Sequence, residues 1–220
     1  MEDNSLAMSI AATERPLETA PPASVTGAGA LRRATAGAHA AVEKAVDWNY
    51  WLGGRSPYVE FLQRLTRLIG AADAANESQL ASPPEWFRRR RTAETIRRDL
   101  SSLAGEPAAG AGRSGTPRDK SDAGFDWVDC SAKAAGVLYV LEGSAQGGAI
   151  LAKIVQDRLG VTRDTGGAYL YGYGPGAHEH WSQVRRWLDQ LLATPEETAN
   201  AAAAANRTFN LYAECLGAPK

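Results

Sequence analysis

The chain has few of the side chains that most metal sites and disulfide frameworks require. Its 220 residues include two cysteines, Cys130 and Cys215, and three histidines, His39, His178 and His180. Two thiols cannot build a disulfide scaffold or a four-thiolate metal site, and we interpret them as the reduced cysteines of a cytosolic protein. Any chemistry that needs an imidazole is therefore restricted to three candidates.

An excess of basic charge and a long apolar segment are also absent from the sequence. The formal net charge is −1, which disfavours a general nucleic-acid binder. No uninterrupted apolar run approaches the roughly 20 residues that a helix needs to cross a bilayer. The first residues lack the basic start and apolar centre of a secretory signal. We therefore expect a cytoplasmic protein with neither nucleic acid nor membrane as a partner.

Two low-complexity stretches divide the chain. Residues 1–28 are rich in Ala, Ser, Thr and Pro without helical periodicity, and they predict a disordered N-terminal tail. Residues 105–124 contain Gly, Pro and Ser without apolar anchors, and they predict a flexible loop. The loop would interrupt one domain that spans residues 29–217.

The remaining segments place apolar residues three and four positions apart, which is typical of helices and predicts a single-domain, all-α fold. Ser56 is predicted to cap a helix, with Pro57 in its first turn and Glu60 completing a weak capping pattern. Residues 168–173 form the one segment with a possible extended conformation. The other helices are predicted over residues 31–45, 86–103, 131–159, 181–192 and 196–216.

His39 lies on the first predicted helix, with Thr35 and Glu43 one turn away on either side. One interpretation is a half-buried histidine that is hydrogen-bonded to Glu43. The other is a ligand of a metal or of haem iron, oriented by Glu43 directly or through water. The residues alone leave both open, and the His178–His180 pair is a weaker metal signal because no third ligand is evident.

Three glycines, Gly143, Gly147 and Gly148, interrupt the strongly apolar helix predicted over residues 131–159. Each costs about 1 kcal/mol relative to alanine inside a helix. Gly143 and Gly147 are four residues apart and share a face. That face is suited either to close packing of another helix or to the close approach of a flat ligand, and the glycines also permit a kink.

Several basic residues could hold the carboxylates of an anionic ligand, although most arginines on helix surfaces are simply solvated. These candidates are Arg32, Lys153, Arg185 and Arg186. We interpret the run of four arginines at 88–91 as a solvated helix face, because the chain as a whole is not basic.

Four segments in order resemble haem oxygenases, particularly the bacterial biliverdin-forming type found alongside bacteriophytochromes. The first, LRRATAGAHAAVE, is similar to the family's proximal-helix pattern L-x-x-A-T-x-x-x-H-x-x-x-E. The third, GVLYVLEGSAQGGAILAKIVQDRLG, resembles the family's distal helix, which has an E-G-S-x-x-G-G core. The resemblance covers residues 31–216 and favours His39 as an iron ligand. The second segment is PEWFRRRRTAETIRRDLSSL, and the fourth is YGYGPGAHEHW.

The resemblance implies an enzyme that cleaves haem, its cofactor and substrate, with O2 and reducing electrons to biliverdin, CO and ferrous iron. It implies His39 as the proximal iron ligand and an electron donor such as a ferredoxin or a reductase. A bacteriophytochrome would accept the biliverdin. The catalytic residues implied on the distal helix are Gly143, Ser144, Gly147 and Gly148. The implied cofactor-binding residues are His39, Arg32, Glu43, Tyr139, Lys153 and Arg185.

The chain departs from the family at two places on this helix. Many animal-type relatives have Asp where Ser144 stands, and relatives commonly have Thr-Leu where this chain has Ala145-Gln146. The Ala145-Gln146 pair and the long loop at 105–124 leave an alternative function, which is haem sequestration or delivery on the same scaffold. A third is a helical bundle without haem that uses its glycine face to bind a partner helix.

Overall fold

The computed structural model describes residues 26–105 and 124–217, and its regular structure over these ranges is helical. Between α-helices lie short 3₁₀ turns at Glu85–Arg89, Arg163–Thr165 and Gly174–Gly176. The described residues form no β-strand, and the all-α class is confirmed. The helices are α1 (Gly27–Ala45), α2 (Trp48–Trp51), α3 (Arg55–Gln79), α4 (Ala93–Ala104), α5 (Ser131–Leu159), α6 (Ala168–Tyr171), α7 (Ala177–Leu191) and α8 (Pro195–Leu216).

Helix α5 runs through the centre of the fold, with the bounds that its apolar pattern predicts. It is apolar on most of its circumference, as expected of a helix that other helices surround. It packs against α8, α3, α6 and α7. Its residue Gly136 permits the closest of these contacts, because a Cβ there would overlap the backbone of Ala201 on α8.

Long-range contacts fix both ends of α1. At its start, the N–H of Ala28 donates to Oδ1 of Asp189 on α7 at 2.8 Å, which satisfies one of the orphan donors of a helix N-terminus. Just past its end, Val46 forms an isolated bridge with Gly217 after α8. Helix α1 begins within the stretch assigned to the tail. Residues 1–25, and 106–123 of the predicted loop, lie outside the described residues.

The start of α3 differs from the prediction. The first helical hydrogen bond joins the N–H of Tyr58 to the carbonyl of Gly54 at 3.1 Å, so Gly54 occupies the cap position. The predicted cap at Ser56 is therefore wrong, and Glu60 completes no capping pattern there. Pro57 does lie in the first turn, where its missing N–H costs nothing.

The single helix predicted over residues 86–103 is interrupted before α4. Asp73 on α3 accepts the N–H of Ala93 at 3.0 Å and pairs with Arg90 at 3.2 Å, so a carboxylate from another helix determines where α4 begins. The interpretation of the arginine run as solvated is wrong for Arg90 and Arg91, whose exposed fractions are 8% and 7%. Both side chains have partners on distant helices, which the residues around them do not reveal.

Residues 168–171, predicted as possibly extended, form the short helix α6. The buried carboxylate of Asp99 on α4 accepts the N–H groups of Ala168 and Tyr169 at 2.9 and 2.8 Å. Burial raises the pKa of Asp99 despite these two hydrogen bonds. The helix predicted from residue 181 begins earlier, at Ala177, so His178 and His180 lie in the first turn of α7.

Candidate functional site

The candidate site lies between α1 and α5, two helices joined mainly through α7 and α8. Both α1 and α5 pack against α7 and against α8. We use the name α1/α5 site for the region defined by His39, Tyr139, Gly143, Trp181 and Phe209. These residues come from four helices, so the tertiary fold assembles the site.

The imidazole of His39 forms the α1 side of the site. Its side chain is 51% exposed, and its Nδ1 lies 3.7 Å from Oε1 of Glu43, beyond hydrogen-bond distance. This Glu43 oxygen is shielded from solvent and has no hydrogen-bond partner among the described residues. The structure therefore shows a half-exposed ring that does not form the expected hydrogen bond to Glu43, beside a carboxylate oxygen that has no partner among the described residues.

Tyr139 connects the α5 side of the site to the other helices. Its side chain lies against Thr35, one turn before His39 on α1, and its ring is 5.9 Å from that of Trp181 on α7. Burial raises the pKa of Tyr139, so the phenol keeps its proton near neutral pH. Tyr139 therefore contributes a neutral hydroxyl beside Thr35.

The glycines of α5 fall into two groups, although the helix continues unbroken through them. A Cβ at Gly143 would make ordinary contact with the Trp181 indole, at 3.5 Å from Cη2. A Cβ at Gly148 would lie only 3.0 Å from the carbonyl oxygen of Leu170 on α6. Gly148 thus permits helix packing, whereas Gly143 and Gly147 share the face that includes the α1/α5 site.

Arg91 holds the α5 turn that contains Gly143. Its Nη2 donates to the Leu141 carbonyl at 2.8 Å and to Ser144 Oγ at 3.0 Å, and the Ser144 hydroxyl donates to the same carbonyl at 2.7 Å. Its Nη1 donates to the Tyr169 carbonyl at 3.2 Å. The hydroxyl proton of Ser144 is therefore used within α5. Sequence reasoning placed Arg91 on a solvated face and missed this role.

Glu142, which is 2% exposed, belongs to the same turn and extends its polar network. Its Oε2 accepts from the Tyr173 hydroxyl at 2.5 Å and lies 2.8 Å from His180 Nε2. The rings of Tyr173 and His180 stack at 3.6 Å. Burial and the charge of Glu142 raise the pKa of Tyr173, which therefore stays protonated.

The sequence reasoning also missed this group, although it carries a signal. A carboxylate in the middle of the apolar segment LYVLEGSAQ is rarely buried without partners, so Glu142 predicts donors from elsewhere in the fold. The sequence does not tell which residues supply them.

Two of the basic candidates are brought to the same end of the site. Asp189 on α7 bonds to Ala28 on α1, as described above. Arg185 lies one turn before Asp189 and Arg32 one turn after Ala28, so both arginines flank this junction. The charge of Arg32 also acts on the hydroxyl of Tyr139 in the α1/α5 site.

Lys153 does not share this arrangement. It is exposed and lies ten residues beyond Gly143, about 80° away around α5. Residues 26–105 and 124–217 contain no group of three His, Cys, Asp or Glu side chains placed to hold a metal ion, which includes the surroundings of His178. Over the same ranges, none of the helices has the length and apolar character needed to cross a bilayer.

Comparison with known proteins identifies the architecture. The crystal structure of the NO- and CO-bound heme oxygenase from Neisseria meningitidis superimposes with a TM-score of 0.64. The alignment covers 88% of this chain and 91% of that protein, at 24% sequence identity. A protein named heme oxygenase from Xanthomonas campestris pv. campestris (strain 8004) is 28% identical over 165 residues, which are 73% of this chain and 89% of the relative.

The fold thus defines an all-α protein with the architecture of haem oxygenases. A sequence model of the family described as "Heme oxygenase" matches residues 26–218. The chain belongs to the haem oxygenase family, and it is an enzyme of haem degradation. The bacteriophytochrome-associated subtype stays a prediction.

Proposed function

We propose that the chain cleaves haem in the α1/α5 site with O2 and reducing electrons, and that the products are biliverdin, CO and ferrous iron. The observation that carries the proposal is the half-exposed His39 beside the unpartnered Glu43 oxygen, with the glycine face of α5 across the site. Haem, when bound, supplies the iron at which O2 is reduced.

The residues of the site fit this group. The shielded Glu43 Oε1 has no hydrogen-bond partner among the described residues, and His39 Nδ1, which can carry a proton, lies 3.7 Å from it. Donation from Nδ1 leaves Nε2 unprotonated and free to bind iron, and the carboxylate makes that nitrogen more basic. We therefore assign His39 as the proximal ligand and Glu43 as the residue that orients it.

On the α5 side, we assign the turn that contains Gly143 and Gly147 to the face of the haem opposite His39. Gly143 and Gly147 present backbone without side chains, which lets a flat ring approach the helix closely. Ser144 fixes the turn through its bond to the Leu141 carbonyl, and Gly148 sets the distance to α6. Tyr139 places a protonated hydroxyl at the edge of the site.

The two propionate carboxylates of haem need cationic partners at the edge of the site. Arg32 and Arg185 flank the same α1–α7 junction, and this placement supports them as the main partners. Lys153 remains a candidate for a ring bound in a rotated orientation, although it lies off the glycine face. The reaction also consumes electrons, so we include a donor such as a ferredoxin or a reductase, and a bacteriophytochrome as the biliverdin acceptor.

The experiment is a haem titration of the purified protein followed by turnover. We expect a Soret band that saturates at one haem per chain, and its conversion to a bilin spectrum after addition of reductant and O2. Chromatography of the extracted pigment against biliverdin identifies the product. A Soret band that persists while a control haem oxygenase converts its haem would support the sequestration alternative. Absence of any Soret shift would support a bundle that binds no haem.

A further inference from the structure

Two buried charges flank the α5 turn that contains Gly143. Arg91 and Glu142 have exposed fractions of 7% and 2%, and the structure shows no direct ion pair between them in its described ranges. They are linked through Tyr173, whose oxygen accepts the Arg91 backbone N–H at 3.1 Å and whose hydroxyl donates to Glu142. Burying charge is costly, and apolar replacements are often as stable, so folding stability alone does not explain these residues.

Arg91 acts on the backbone of α5. The Leu141 carbonyl accepts from its guanidinium and from the Ser144 hydroxyl, in addition to its place in the helix. Gly143 lies between Leu141 and Ser144, so these hydrogen bonds hold the turn at the residue whose backbone faces the α1/α5 site.

Glu142 holds the same turn through different partners. Its carboxylate binds Tyr173 and His180, and His180 also meets Trp86 edge-on at 5.5 Å. The residue after His180 is Trp181, whose indole lies over Gly143. The network that anchors Glu142 therefore also determines where this indole stands.

We propose that Arg91 and Glu142 are positioning residues that hold residues 141–144 of α5 in one geometry, so that the Gly143 backbone and the Trp181 indole keep fixed places in the site. The inference rests on the proposed function of the same site. It assigns no contact between haem and either charged residue.

Arg90 offers a matched control for Arg91. It is the preceding residue, it is buried to the same degree, and its guanidinium lies over the Phe87 ring at 3.7 Å. However, its partners are the Asp73 and Glu77 carboxylates and the Phe87 carbonyl, none of which belongs to α5. A merely structural role would be shared by both arginines, whereas a positioning role belongs to Arg91.

The test compares Arg91→Gln and Arg90→Gln in three measurements. These are thermal unfolding, amide hydrogen exchange of the haem-free protein, and the C–O stretching band of the ferrous CO complex. We expect both variants to unfold at a lower temperature. Only Arg91→Gln should speed exchange in peptides covering residues 139–149, by about tenfold or more, because the turn opens locally. Only Arg91→Gln should shift or broaden the C–O band.

Tyr173→Phe provides a second variant if Arg91→Gln does not fold, because it removes one hydroxyl from the network. We expect the same local increase in exchange for Tyr173→Phe. Equal exchange and equal C–O bands in the Arg90 and Arg91 variants, with bilin still formed by the wild type, would overturn the positioning inference alone. Failure of the wild type to form bilin would overturn the proposed function, whereas exchange in the haem-free protein would still test the geometry of the turn.

Discussion

The rings of His39 and Phe209 meet edge to face, with centroids 5.4 Å apart and an interplanar angle of 78°. Through this contact, Phe209 on α8 packs against one side of the imidazole. Glu43 lies one helical turn further along α1. Because half of the side chain remains exposed, its packing against Phe209 orients the ring without burying it. His39 is therefore held in place by the fold while remaining available to bind.

We expect His39→Ala to lower haem affinity by about 100-fold and to abolish bilin formation, because the iron loses its protein ligand. The unfolding free energy should change by no more than about 0.5 kcal/mol, as is usual at exposed positions. Soret titration and thermal unfolding measure the two effects. Added imidazole should restore part of the turnover, and His178→Ala, exposed on α7, should behave as wild type. Normal haem binding by His39→Ala would contradict the assignment.

Gly136→Ala and Gly143→Ala should have opposite consequences. A Cβ at residue 136 would overlap the backbone of Ala201, so we expect a loss of about 2–3 kcal/mol in the free energy of unfolding. A Cβ at residue 143 makes ordinary contact with Trp181, and alanine favours the helix by up to about 1 kcal/mol. Gly143→Ala should therefore fold well but degrade haem poorly. Urea unfolding and bilin yield separate the two, and similar stability losses would be contrary to these roles.

The stability contributed by Asp99 should decrease as the pH rises. Burial raises its native pKa, so the native state holds the proton more tightly than the unfolded chain does. The contribution is complete below the unfolded pKa of about 3.9 and is lost as the pH passes through the higher native value. Asp99→Asn cannot titrate. The unfolding free energy of the wild type minus that of Asp99→Asn, from urea titrations, should thus fall with rising pH. A constant or rising difference would refute the prediction.

Arg185→Glu should weaken haem binding about tenfold at low salt and less at high salt, because an exposed charge is screened. Haem dimethyl ester, which lacks the two negative charges, should bind both proteins equally. Arg186→Glu is the control, since Arg186 is exposed on the same helix and pairs with Glu179 at 3.3 Å. Equal losses for the ester and for haem would show that Arg185 does not act on the carboxylates.

The sequence by itself determined the features that depend on neighbours within one helix. The apolar spacing gave the all-α class and the bounds of α5, and it placed Gly143 and Gly147 on one face. It also placed Glu43 one turn from His39, where the structure finds it. A helical repeat relates residues three and four apart, so these relationships need no knowledge of the rest of the fold.

Only the tertiary structure decided which charged residues are buried. In the sequence, nothing distinguishes Arg91 from the three arginines before it, and its partner Tyr173 lies 82 residues away. Asp99 accepts the N–H of Ala168, 69 residues away, at the start of α6. This segment, predicted as possibly extended, is therefore a helix. Whether a charge stays in water depends on the desolvation cost and on the donors and acceptors that distant elements supply. Those partners meet only when the helices pack, which is why the sequence predicted the glycine face of α5 and not the residues that hold it.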